Sequence, residues 1–318
     1  MNTREAPSIE RVAAYARRYF QSAEFHIERE PSGVSTYVYR IRAGGETFYL
    51  RILPEADRSF GVEVHAHELL RDMGVQVPEV VGYERLAEGL GMSAMLVREI
   101  EGSAAGQDAG MTTSASYNRV MREAGRQVAL MHQVPVDGFG WIRRDRHEAD
   151  AVLQGEKGTA SGHLTEFWEE DLRFLSQAIL SEAEIFRLRE RFEAGFPLMA
   201  RQEARLVHGD FDDSHIFQSG GAYTGIIDFG EMQGSSPLYD LGHFKLHDGQ
   251  RFAGFGALMA GYGEVMPLTT EDRLEISLWT LWIGIRRMAI AGRRSHVGYL
   301  KHLTKAVRHD LDQFGSEW

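Results

Sequence analysis

The chain has 318 residues, 43% hydrophobic and 25% charged, and a formal charge of −11 from 35 Lys and Arg against 46 Asp and Glu. One large or two medium domains are expected, with apolar content enough to fold without disulfides or a structural metal. Cysteine is absent, which removes disulfides, cysteine metal sites and thiol chemistry, and the acidic balance argues against nucleic acid or an anionic membrane as partner.

The first residues, MNTREAPSIE, are polar and lack an apolar segment, so no secretory leader is expected and a cytoplasmic location is predicted. Residues 8–20 predict an amphipathic helix capped by Ser8. Two strands follow at 36–42 and 47–53, joined by the turn Ala43-Gly44-Gly45-Glu46. A helix is predicted over 62–73, closed by Gly74, then strands over 78–83 and 94–100. A lobe boundary is placed at Glu101-Gly102, giving a nucleotide lobe over 1–101 and a larger lobe over 102–318. Residues 103–116 are small and polar and read as a loop. From Tyr117 the pattern turns helical, with Val120, Met121, Ala124, Val128 and Met131 on one face. Further helices are predicted over 164–180, 182–200, 250–262 and 271–290. The apolar stretch 277–285 is too short to cross a bilayer and runs into Arg286 and Arg287.

The chemistry concentrates in residues 206–242, LVHGDFDDSHIFQSGGAYTGIIDFGEMQGSSPLYDLG. His208-Gly209-Asp210 is followed five residues after Asp210 by His215. Gly220-Gly221 turns the chain, and a second strand ends at Asp228-Phe229-Gly230. This hairpin would gather Asp210, His215 and Asp228 at one end. Phosphoryl transfer needs such a set: one carboxylate to orient and deprotonate a hydroxyl, another to hold the Mg²⁺ that bridges the phosphates. Protein kinases array HRD, a later Asn and DFG in the same order.

The segment resembles the aminoglycoside phosphotransferases, antibiotic kinases whose signature is HGDxxxxN followed by a DFG-like triplet. The resemblance covers nearly the whole chain. Residues 32–41 (SGVSTYVYRI) sit where the family has its nucleotide loop, and 48–52 (FYLRI) match the strand bearing a phosphate-contacting Lys. Residues 62–80 resemble the glutamate helix and the strand after it. Residues 124–141 (AGRQVALMHQVPVDGFGW) are similar to a family helix and turn. The string HGDFDDSHIF with TGIIDFG looks most like the aminoglycoside 2''-phosphotransferases and macrolide 2'-phosphotransferases.

The resemblance implies a two-lobed, protein-kinase-like α/β fold, a small sheet with one helix over a mostly helical lobe. It implies ATP or GTP as donor, Mg²⁺ as cofactor and a small-molecule alcohol as acceptor. Asp210 would be the catalytic base, and Asp228 with His215 the metal pair, His215 standing where the family usually has Asn. Arg51 replaces the family Lys and would meet the phosphates, with Glu63 as its partner and Glu68 as the alternative. Ser32, Gly33 and Ser35 would cover the phosphates, and Glu99 and Ile100 would belong to the hinge that meets the base. His208 and Asp240 read as structural. Asp212, Asp213 and Glu231 flank the catalytic groups and suit a cationic substrate. Glu169 and Glu170 read either as a solvated helix face or as part of a substrate lid. Three functions stay open: an antibiotic kinase acting on an aminoglycoside or a macrolide, a metabolic kinase for a choline-, homoserine- or sugar-like alcohol, and a nucleotide-binding protein without transfer. A monomer is expected, with a dimer open.

Overall fold

The computed structural model describes residues 5–21, 24–31, 36–55, 57–107, 113–145, 152–201, 203–249 and 252–314. Helix α1 (Ile9–Ala16) begins at Ser8, whose hydroxyl accepts from the Arg11 N–H at 3.4 Å. Five strands then form an antiparallel sheet in the order β1-β2-β3-β5-β4: β1 (Phe25–Glu30), β2 (Tyr37–Ala43), β3 (Glu46–Ile52), β4 (Val80–Glu84) and β5 (Ala94–Arg98). Helix α2 (Gly61–Asp72) lies between β3 and β4 in the chain.

Alternation along β3 decides what faces what. Phe48, Leu50 and Ile52 point into a core shared with Val12 and Tyr15 of α1 and with Tyr39 and Ile41 of β2. The residues between them, Tyr49 and Arg51, therefore stand on the opposite face, the side on which Arg51 meets α2. The short Gly44-Gly45 turn needs φ of 61° and 86°, a backbone region that costs glycine least.

The rest of the chain is mostly helical. In order it runs β6 (Ser103–Ala104), α3 (Ser114–Met131), β7 (Phe139–Ile142), β8 (Gly155–Lys157), α4 (Ala160–Thr165), α5 (Trp168–Ser176), α6 (Glu182–Ala200), β9 (Arg205–Val207), β10 (Ile216–Ser219), β11 (Ala222–Ile226), β12 (Gln233–Ser235), α7 (Tyr239–His247), α8 (Phe255–Val265), α9 (Thr270–Arg293) and α10 (Val297–Gln313). Val120, Met121, Ala124, Val128 and Met131 of α3 are buried, as their spacing predicts. Helix α8 packs close against α3: a Cβ on Gly125 would lie 2.1 Å from the Leu258 carbonyl oxygen. The apolar stretch 277–285 is the buried centre of α9, and among the described residues no helix is long and apolar enough to cross a membrane.

Several expectations are corrected. The helix over 164–180 is two, α4 and α5, and at the break the Leu164 carbonyl, released from the helix ladder, accepts from Trp282 Nε1 at 3.0 Å. The loop over 103–116 holds β6, which pairs with β10, and the start of α3; residues 108–112 lie outside the described residues.

Candidate active site

The hairpin β10–β11 carries the predicted constellation. β9 delivers the chain into His208-Gly209-Asp210, and that turn is held from behind by Asp240 on α7. The Asp240 carboxylate, fully buried, accepts from the His208 N–H at 2.7 Å, the Gly209 N–H at 3.0 Å and His132 Nε2 at 3.0 Å. Burial alone would raise its pKa, but those donors outweigh it and the group stays ionised. The buried His208 ring donates from Nε2 to the Ile227 carbonyl at 2.8 Å, which ties the turn to the residue before Asp228.

Asp210 is held ionised against its burial. Burial pushes its pKa up, yet His243 Nε2 at 3.3 Å and Arg287 Nη2 at 2.8 Å, both on Oδ1, hold it well below the carboxylate range. Arg287 also donates to the Gly209 carbonyl at 3.3 Å. A charged, oriented Asp210 is what acceptance of a hydroxyl proton requires.

Asp228 has a left-handed backbone, φ 65° and ψ 70°, rare for a non-glycine residue and of the kind found where function fixes geometry. Its side chain is 55% exposed and its Oδ1 lies 3.4 Å from Arg51 Nη2. His215 donates from Nδ1 to the Asp210 carbonyl at 2.7 Å, so a neutral ring keeps its lone pair on Nε2, 4.0 Å from Asp228 Oδ2. Burial pushes His215 down, but the surrounding carboxylates of Asp212, Asp210 and Asp228 prevail and raise it. A carboxylate open to the cleft and an imidazole lone pair turned towards it fit a divalent cation, although Mg²⁺ prefers oxygen.

Across the cleft, Arg51 pairs with the buried Glu63, and Glu68 is exposed. Burial disfavours both charges; their mutual attraction overrides it, raising Arg51 and lowering Glu63. Arg144 Nη2 stands 3.0 Å from the second Glu63 oxygen, close enough to balance charge though not aligned as a hydrogen bond. The same guanidinium donates to the Gly230 carbonyl at 3.0 Å, so Arg144 links α2 to the Asp228 turn. A cleft of about 560 Å³ collects Arg51, Glu99, Ile100, Asp210, Asp228 and Glu231 on its walls.

A profile of the APH phosphotransferase enzyme family matches residues 26–274. The chain belongs to that family. It is a phosphotransferase whose acceptor is a hydroxyl group. Among solved structures, the chain is similar to a thermostable mutant of aminoglycoside phosphotransferase APH(4)-Ia in ternary complex with AMP-PNP and hygromycin B. The TM-score is 0.72 at 14% identity, over 96% of this chain and 98% of that one. The GDP and kanamycin complex of APH(2")-IIia matches at 0.65 and 21% identity, over 94% and 97%. The GDP complex of wild-type aminoglycoside 2'-phosphotransferase-IIIa matches at 0.62 and 19%, over 96% and 99%. These likenesses show the kinase-like fold.

Not all the predicted residues meet. Ser32, Gly33 and Ser35 lie outside the described residues. Glu99 lines the cleft but is engaged by Tyr49 Oη at 3.0 Å and Arg40 at 3.3 Å. Asp212 accepts from the Ser214 N–H at 2.8 Å, and Asp213 from Tyr117 Oη at 2.8 Å. Glu169 pairs with Arg189, and Glu170 with Arg293 at 3.0 Å, both on the surface of α5. Of the five acids assigned to substrate, Glu231 alone is among the residues lining the described cleft, and burial raises its pKa. Arg287, His243 and Arg144 were not foreseen. Their only sequence signal was the Arg286-Arg287 pair that ends an apolar run, and spacing gave it no chemical meaning.

Proposed function

We propose that the protein transfers the terminal phosphoryl group of ATP or GTP to a hydroxyl of an aminoglycoside. The observation that carries the transfer is the meeting on one cleft of Asp210, Asp228 and Arg51, the last paired from behind by the buried Glu63. Residues 1–101 would serve as the nucleotide lobe and 102–318 as the lobe that holds the acceptor. The backbone at Glu99 and Ile100 would meet the base, and the 32–35 loop would cover the phosphates. Arg51, aligned by Glu63, would hold the upstream phosphate oxygens. Asp210, kept ionised by Arg287 and His243 on Oδ1, would take the hydroxyl proton as the phosphoryl group moves in line. Asp228 and His215 would hold Mg²⁺, which when bound would neutralise charge on the phosphates.

The aminoglycoside rests on the similar structures, which hold hygromycin B or kanamycin, and on Glu231 beside Asp210 in an acidic chain. AMP-PNP in one and GDP in another keep both donors in play. One observation favours a second reading. Arg287 places a positive charge at Asp210, which suits an acceptor with fewer cationic groups, such as a macrolide or a metabolic alcohol. Incubating the protein with Mg²⁺, ATP or GTP and a panel of aminoglycosides, macrolides and metabolic alcohols decides between them. Phosphorylated aminoglycoside supports the first reading. Turnover restricted to macrolides or metabolic alcohols replaces it with the second, and no product from any acceptor overturns both.

A further inference from the structure

Helix α7 carries two histidines, His243 and His247, one turn apart, the i, i+4 spacing that sets both rings on one face. Only His243 touches Asp210. Each ring is fixed by its Nδ1–H, donated to the Phe211 carbonyl at 3.0 Å by His243 and to the His243 carbonyl at 3.0 Å by His247. A carbonyl can only accept, so the neutral rings keep their lone pairs on Nε2, the arrangement that metal-binding histidines show. Asp212 completes the group: one ligand atom from each of Asp212, His243 and His247 lies within 4.8 Å of the other two.

A second observation places a cation, a proton or a metal, at His243 Nε2. His243 is fully buried, and its Nε2 has no aligned hydrogen-bond partner while it faces Asp210 Oδ1 at 3.3 Å. A lone pair opposed to a carboxylate at that distance is unfavourable, so in the metal-free chain a proton on Nε2 meets Asp210 and helps to hold it ionised, and a metal on Nε2 would take that proton's place.

We propose that Asp212, His243 and His247 form a transition-metal site, with Zn²⁺ as its type ligand, beside Asp210 and separate from the Asp228–His215 pair. Two imidazoles and one carboxylate are the donor set of three-ligand zinc sites that keep a fourth position open, and they are softer than Mg²⁺ favours. The Tyr299 hydroxyl, 2.9 Å from His247 Nε2, must yield its place. A cation here would draw charge from Asp210 and slow transfer. That consequence rests on the proposed phosphoryl transfer, whereas metal binding does not.

The test is binding of Zn²⁺ alone. Full-length protein stripped of metal is titrated with Zn²⁺ against a chromogenic chelator, without nucleotide. Wild type and Asp228→Ala should each take up one tight equivalent, and His247→Ala should bind about 100-fold more weakly. Absence of a stoichiometric site in wild type, unchanged affinity in His247→Ala, or loss in Asp228→Ala with retention in His247→Ala would overturn the proposal; the last would put the metal in the phosphate site. Melting curves of the metal-free variants report folding. If His247→Ala does not fold, Tyr299→Phe carries the test, since it keeps the three ligands and frees His247 Nε2. Equal or tighter binding by that variant supports the set, and weaker binding overturns it.

Discussion

Asp210 keeps its charge in a half-buried position because Arg287 and His243 share one of its oxygens, leaving the carboxylate oriented by groups that belong to two different helices. The neighbours that hold it ionised also lower its intrinsic basicity. Arg287→Met should therefore raise the Asp210 pKa towards the ordinary carboxylate range and carry the acid limb of the kcat/KM profile to higher pH, while His243 and the fold persist. The measurement is the pH profile of wild type and variant on one acceptor, and an acid limb that stays in place would contradict the assignment. At this scale Asp210, His215 and Asp228 were legible because hydrogen bonding within one short hairpin brings them together. Arg287 lies 77 residues away in sequence, on a helix whose pattern reports only that it is buried. Nothing local could have paired it with Asp210.

Elements hold the site by backbone. Gly209 adopts φ 84°, and a Cβ there would come 1.9 Å from the Glu231 carbonyl oxygen, itself part of a rigid turn. Gly209→Ala should cost about 2 kcal/mol or more in stability and displace Asp210. A melting temperature equal to wild type would show that the turn tolerates the side chain. Helix α4 offers a pH test. His163 is buried beside Trp282, and burial pushes its pKa down from 6.5 to about 4. The unfolded chain takes up a proton below pH ~6.5 that the folded chain refuses until about 4, so this group leaves stability intact above 6.5 and erodes it as pH falls through that window. The total is about 3 kcal/mol. His163→Gln should flatten the fall between pH 6.5 and 4 in denaturant unfolding, and an unchanged slope would refute it. Strongly periodic elements such as α3 and β3 were readable. β1 was not, because in FHIERE only Ile27 is buried and the strand shows almost no apolar alternation. β12 was hidden too: Gln233-Gly234-Ser235 is buried by pairing between β7 and β9 rather than by apolar side chains.

The whole molecule places a sheet over a helical body and closes a cleft between Arg51 of β3 and the Asp210–Asp228 hairpin. That architecture was legible from the order of motifs, because each motif fixes one wall of the cleft. The acceptor was not, since two of the three acids that suggested a cationic substrate are engaged, Asp212 by Ser214 and Asp213 by Tyr117, and Glu169 and Glu170 pair with Arg189 and Arg293 on the surface of α5. Charge still makes a prediction. With −11 overall, a cationic acceptor should show a KM that rises with salt as the Debye length shrinks from about 10 Å at 0.1 M to about 3 Å at 1 M. A KM flat over that range would remove the aminoglycoside.

The central claim is that Asp210 receives the hydroxyl proton, and Asp210→Asn tests it most directly. On the best acceptor of the panel, single-turnover rates of the variant should fall by about 10²–10⁴-fold, with nucleotide affinity and melting temperature close to wild type. Turnover near the wild-type rate, with nucleotide still bound, would contradict the account.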